Sequence, residues 1–163
     1  MELTQQQVWR LLVHLADRGV AADLAQETYE RAFGALRRYR AESPARPWLL
    51  AIARHVAADH LRRRARRPAT PTVLAEGDEP LGAVRFGDVA EGVALRLAVD
   101  ALPIDRREAF VLTQLLGLGY AEAAQVLGCP IGTIRSRVAR ARGDLVESLG
   151  RSQPAGEAAT REP

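Results

Sequence analysis

The 163-residue chain contains no lysine, so arginine supplies every basic side chain other than three histidines. That bias fits a GC-rich genome as well as any function and by itself excludes nothing. A single cysteine, Cys129, rules out an internal disulfide. No spacing of His, Cys, Asp or Glu matches a metal-ligand set. His55 and His60 are five residues apart and do not share a helix face as an i, i+4 pair would. Aromatic residues make up 5% of the chain, so any core must be built from Leu, Val, Ile and Ala. A signal-peptide pattern is missing, as is any apolar run of membrane-spanning length, which predicts a soluble, cytoplasmic protein with no membrane contact. A nucleophile–base pair, a paired-carboxylate cleft and a glycine-rich phosphate loop are also missing. Catalysis is therefore not expected, nor is a cofactor.

What is present is ordinary in amount and uneven in placement. Hydrophobic residues at 47% and charged residues at 26% suit a soluble globular chain. The net charge is only +3, but it is gathered into islands. Arg62-Arg63-Arg64 with Arg66-Arg67 is one, and Arg135–Arg142 is another. The middle and the far C-terminus carry acid. A phosphate backbone responds to local charge, not to the net value.

Apolar periodicity predicts an all-α protein. Leu3–Arg18 groups Val8, Leu11, Leu12 and Leu15 at helical spacing until Gly19 interrupts it. A second helix, from about Val20 to Tyr39, places Ala25, Tyr29, Ala32, Phe33 and Leu36 on one face. Asp23, Gln26, Glu27 and Glu30 fill much of the rest. Acid near a helix start favours the helix dipole; it also suits a contact surface, and the pattern leaves both open. Ala41–Pro47, with Ser43 and two prolines, reads as a loop. A third helix, Pro47 to about Arg66, begins at Trp48 and is apolar through Leu49, Leu50, Ile52, Val56 and Leu61. Its Arg run exceeds what the dipole needs and points to an anionic partner. Pro68–Glu91, with three prolines and five acids, reads as an irregular linker. Order is expected again near Gly92 and stops at Pro103. Asp105 and Glu108 then match a capping box for a helix through Leu116, closed by Gly117 and Gly119.

The most informative stretch is Tyr120–Leu149. It reads as a helix, a break at Gly128-Cys129-Pro130, and a second helix opened by the proline. Ile134, Val138, Ala141 and Leu145 form one apolar stripe on that second helix. Thr133, Ser136 and Arg140 project from the opposite side, with Arg135, Arg137 and Arg142 on the flanks. Short hydroxyls near a helix start, surrounded by Arg, suit a helix lying in the major groove. This is a helix-turn-helix pattern with Ile131–Leu149 as recognition helix. An amphipathic helix with a solvated basic face is the plainer alternative.

Three segments then carry a family resemblance: DLAQETYERAF (Asp23–Phe33), RPWLLAIARHVAADHLRRRARR (Arg46–Arg67) and LPIDRREAFVLTQLLGLGYAEAAQVLGCPIGTIRSRVARAR (Leu102–Arg142). Together they resemble the extracytoplasmic-function (ECF) RNA polymerase sigma factors, the smallest class of the sigma-70 family. The resemblance implies two small helical domains on a flexible linker. Residues 1–67 would be the region 2 domain, 68–91 the linker, 92–149 the region 4 helix-turn-helix domain and 150–163 a disordered tail. It implies core RNA polymerase as partner, through the β′ clamp helices and the β flap, with Asp23, Gln26, Glu27 and Arg31 as polymerase-binding residues. Promoter DNA would be held both single-stranded and as duplex. At the −10 element the candidates are Ser43, Arg46, Trp48, Arg54, His55, Asp59, Arg62 and Arg63; at the −35 element they are Thr133, Arg135, Ser136, Arg137 and Arg140. Unstacked bases need a pocket or an aromatic platform, and Trp48 serves equally as platform or as core. An anti-sigma factor is a usual regulator in the family. The stretch before Asp23 is shorter than family members usually show, and His55 stands where many carry Asn. A stand-alone helix-turn-helix regulator is the runner-up, although it leaves Asp23–Arg67 without a role. An RNA-binding adaptor would explain the Arg run alone.

The linker separates the first two readings. Its 24 residues reach on the order of 80 Å fully stretched but average only about 25–30 Å as a free coil. Two promoter elements lie roughly 40–65 Å apart, at about 34 Å per duplex turn. Deleting half of the linker is predicted to abolish run-off transcription from a two-element promoter. A dimeric regulator with the same deletion would bind its operator undiminished.

Overall fold

The computed structural model describes residues 2–39, 44–66 and 89–151, and every regular element among them is helical. Helix α1 is Glu2–Leu15, α2 is Arg18–Ala35 with a 3-10 turn at Leu36–Arg38, and α3 is Ala45–Ala65. Helix α4 is Val89–Asp100, and α5 is Ile104–Phe110, continued by a π turn at Val111–Leu115. Helices α6 (Tyr120–Leu127) and α7 (Ile131–Arg151) follow. Most of the linker, residues 67–88, lies outside the described residues, as does the tail beyond Arg151.

Several boundaries differ from the expected ones, each for a local reason. The first break falls before Gly19, because Asp17 caps α2: its Oδ1 accepts from the Gly19 N–H at 2.7 Å. Gly19 therefore sits inside the first turn. The face of α2 that is buried is Ala21, Leu24, Thr28 and Ala32, while Phe33 and Leu36 are 71% and 55% exposed. Thr28 looks polar in sequence, yet its hydroxyl donates to the Leu24 carbonyl at 2.7 Å and is satisfied inside the helix. In α3 the buried positions are Pro47, Leu50, Ala53, Val56 and Ala57, with Leu49, Ile52 and Leu61 half-buried. The capping box at Asp105 and Glu108 is not formed. Pro103 occupies the cap, its carbonyl accepting from Arg106 and Arg107, and Glu108 is buried. Order resumes at Val89, slightly before Gly92.

Helices α1, α2 and α3 pack on one another, and α5, α6 and α7 form the second group with α4 against α7. The two groups share one apolar core, because α3 packs on α6 while α1 packs on α4 and α5. Val8, Leu11 and Leu12 of α1, Leu50 and Val56 of α3, and Leu112 and Ile134 of the second group are fully or almost fully buried.

The turn into α7 depends on one glycine. Gly128 has φ of +62° and closes α6 in the left-handed conformation, its N–H donating to Gln125. Pro130 follows, and its carbonyl accepts from Thr133 and Ile134 to start α7. A Cβ on Gly128 would meet nothing within 4 Å, so its cost is one of backbone alone. Gly128→Ala is predicted to destabilise by about 1 kcal/mol. Gly143→Ala, in the exposed interior of α7, should instead stabilise by about 0.5–1 kcal/mol. Urea unfolding of both variants checks the opposite signs.

Candidate nucleic-acid interface

The apolar stripe of α7 is buried as its spacing implies: Ile134, Val138, Ala141 and Leu145 are all inside. Polar bonds on both flanks fix how the helix is rolled. Arg106 pairs with Asp144 at 2.6 Å, Arg137 with Asp105 at 3.5 Å, and Arg142 donates to Gln114 of the π turn at 2.7 Å. With the roll fixed, Arg135, Ser136 and Arg140 face solvent, and Thr133 is half-buried beside them. The Ser136 hydroxyl donates to the Thr133 carbonyl. Arg137 is displaced to the edge of this face, close to the Cys129 thiol at 3.9 Å.

The first helical group divides the expected residues differently. Asp23 and Gln26 are exposed on α2, and Gln26 donates to Glu30 at 3.1 Å. Glu27 and Arg31, expected to face the polymerase, join Asp59, Arg62 and Arg63, expected at the −10 strand, in a single ionic chain. The Glu27 carboxylate bridges Arg31 at 2.5 Å and Arg63 at 3.3 Å. The Asp59 carboxylate bridges Arg31 at 2.8 Å and Arg62. Hydrogen bonds from Arg31 and then Arg62 hold the Asp59 carboxyl below its ordinary value of 3.8, and the bond to Asp59 raises Arg31 in turn. The lowered carboxyl keeps the Asp59 bridges to Arg31 and Arg62 in place above pH 3.8, and they are lost only as pH falls through the lower folded value.

Arg46 and Arg54 are turned away from that cluster toward the second helical group. Arg46 donates to Gln7 of α1 at 2.9 Å and to the Leu116 carbonyl. Arg54 donates to Glu108 of α5 at 2.8 Å, and that carboxylate is almost fully buried. His14 of α1 meets Asp100 of α4 at 3.1 Å. His55 is exposed one position along α3, and Trp48 is half-buried against Tyr39, ring centroids 4.7 Å apart and tilted by 41°. Ser43 lies outside the described residues. Glu108 and the exposed Phe33 were not expected at any site. A buried charge between two segments distant in sequence leaves no local pattern from which to foresee it.

Among the described residues no group of three or more His, Cys, Asp or Glu is placed to hold a metal ion. Nor is any helix there long and apolar enough to cross a membrane.

The arrangement is a basic helix, α7, set after the turn at Gly128 and Pro130 and packed with a second helical group that has an arginine-rich helix end. Family models describe it further: sigma-70 region 2 matches residues 1–67, and sigma-70 region 4 matches residues 92–145. The chain belongs to the sigma-70 family, in its ECF class. It is 53% identical over 151 residues to the ECF RNA polymerase sigma factor SigC of Mycobacterium tuberculosis, covering 90% of this chain and 79% of that one. It is 34% identical over 155 residues to the ECF RNA polymerase sigma-E factor of Haemophilus influenzae, covering 88% and 82%. Among solved structures, the sigma factor RpoE bound to the anti-sigma factor NepR from Bartonella quintana superposes with a TM-score of 0.76. That pair is 28% identical, with 93% of this chain and 95% of that one covered. CnrH bound to the cytosolic domain of CnrY gives 0.66 at 25% identity, covering 93% and 84%.

The Arg54–Glu108 pair generates a stability test. Arg54→Ala strands a buried carboxylate, whereas Glu108→Ala leaves an arginine that water can reach. Arg54→Ala should therefore be the more destabilising, and a double-mutant cycle should give a coupling of about 0.5–3 kcal/mol. Additivity within about 0.3 kcal/mol would show that the pair does not form in solution.

Proposed function

We propose that this chain is the promoter-reading subunit of a bacterial RNA polymerase, a non-catalytic initiation factor working in the cytoplasm. Residues 92–149 bind the −35 duplex, and residues 1–67 bind core polymerase and the opened −10 strand. The observation that carries this reading is the α7 face. Its apolar stripe is fully used in packing, its flanks are tied to α5 and the π turn, and the polar residues left over are those suited to a groove. Thr133, Arg135, Ser136 and Arg140 form the base-reading and phosphate-gripping set, with Arg137 reaching the DNA backbone from the edge.

Asp23 and Gln26 present the polar surface for the β′ clamp helices, and the β flap binds the second domain. Trp48 with Tyr39 supplies an aromatic platform of the kind that unstacked bases use. Ser43, His55 and the Arg62–Arg63 helix end complete the −10 set. Arg46 and Arg54 join it only when the two helical groups separate, since the closed arrangement occupies both. The likeness to sigma factors captured with anti-sigma factors supports an anti-sigma partner for this closed form.

Run-off transcription with core polymerase and a promoter library tests the reading. Arg140→Ala should relax preference at one −35 position and cost about 1–3 kcal/mol of duplex affinity, whereas Arg137→Ala should weaken all sequences alike. Promoter-independent transcription, or operator binding without initiation, would return the chain to the stand-alone regulator.

A further inference from the structure

The ionic chain across α2 and α3 borders an open cleft of about 310 Å³ lined by Arg31, Asp59, Arg62, Arg63 and Arg66. Its construction differs from a run of solvated arginines. Glu27 and Asp59 each bridge two guanidiniums, so Arg63, Arg31 and Arg62 are held in a fixed order around the opening. Arg63 is tethered a second time, its Nε donating to the Asp59 carbonyl at 3.4 Å. Arg66 lines the same cleft and makes no ion pair among the described residues. Four guanidiniums face two carboxylates, which leaves two positive charges in excess. Each guanidinium carries five N–H donors, and the bridging carboxylates occupy only a few of them. The remaining donors open to solvent, where an anion can replace water at several of them at once.

We propose that this cleft is a preformed phosphate pocket, in which Arg31, Arg62, Arg63 and Arg66 grip two adjacent phosphates. Planar guanidiniums match phosphate oxygens two at a time, which is why arginine is the residue for such a pocket. A volume at the low end for ligand sites admits phosphates with little attached to them. Arg31 becomes a phosphate ligand, separate from the polymerase surface at Asp23 and Gln26. Glu27 and Asp59 are positioning residues: they repel the anion slightly and act by keeping the guanidiniums converged. The phosphates belong either to a nucleic-acid strand or to a free polyphosphate. The assignment deepens the −10 role proposed for Arg62 and Arg63, is argued from the network, and stands whether or not the α7 face reads a −35 element.

The test exploits an opposition of signs. If only diffuse charge attracted the anion, Asp59→Asn would remove a negative charge and tighten binding. In a preformed pocket the same change releases Arg31 and Arg62 and weakens binding. Binding of tripolyphosphate to the full chain is measured by calorimetry, and that of a labelled single-stranded oligonucleotide by anisotropy, at one fixed ionic strength. Asp59→Asn and Glu27→Gln are each expected to weaken the bound probe at least fivefold, and Arg66→Ala comparably, with helix content unchanged by circular dichroism. Should one carboxylate variant fail to fold, the other decides. Loss of tripolyphosphate binding in the variants, with the oligonucleotide unaffected, identifies a free polyphosphate; the reverse identifies the strand. Tighter or unchanged binding in the carboxylate variants, or no saturable binding of either probe, overturns the pocket. Promoter-dependent transcription by the unaltered chain is read separately, so its loss tests the promoter reading and not this one.

Discussion

Helix α1 is the part on which the packing of both helical groups depends. It is short, and almost every apolar residue it owns is committed: Val8, Leu11 and Leu12 are fully buried, with Leu15 and Val13 nearly so. It lies against α2 and α3 on one side and against α4 and α5 on the other. With few aromatic residues, the core gains its area from many small contributions. Each fully buried Leu or Val adds about 1.5–3 kcal/mol, so a helix that buries five of them dominates the local balance. The two groups share a core because α1 is apolar over so wide an arc and because α3 packs on α6 beside it.

That sharing explains why polar groups are found where the sequence does not announce them. The boundary between the groups is apolar at α1 and α6 but must also accept the arginines of α3. A guanidinium there requires an acceptor, because a buried charge without one is expensive. Arg54 finds the Glu108 carboxylate and Arg46 finds the Leu116 carbonyl, which the helix itself leaves available at the end of the π turn. The π turn thus serves both groups. It frees a carbonyl for Arg46, and it carries Gln114, which holds Arg142 of α7.

Most of the fold was legible in the sequence because most of it is decided locally. The α7 stripe was read residue by residue, since Gly128 and Pro130 fix the start and the apolar spacing is regular. The errors arose where a residue type misstates its environment. Thr28 satisfies its own hydroxyl against Leu24 and goes inside, which rotates α2 and leaves Phe33 outside. Asp105 and Glu108 have the spacing of a cap, yet Pro103 takes the cap and Glu108 answers a charge that is 54 residues away. The ionic chain on α2 and α3 was unreadable for the same reason. Its two carboxylates lie on separate helices, and only the packing of α2 on α3 brings them to the same guanidinium.

The two proposed DNA faces therefore stand in different conditions within one arrangement. On α7 every internal need is met by other residues: the stripe packs, the flanking charges pair with α5 and the π turn, and Arg135, Ser136 and Arg140 remain outward. On α3 the proposed −10 residues divide. Arg62 and Arg63 are outward and held by carboxylates, whereas Arg46 and Arg54 satisfy needs of the boundary. A ligand for the α7 face can dock without disturbing the packing. A strand that recruits Arg54 must compete with Glu108, and it leaves that carboxylate buried and unpaired unless the groups part. Separation exposes the α1 surface that α4 and α5 cover, so it requires a partner that covers apolar area as well as supplying charge. A surface that supplies both charge and apolar area meets both requirements and a bare DNA strand meets only one, so a strand alone lacks what parting the groups requires.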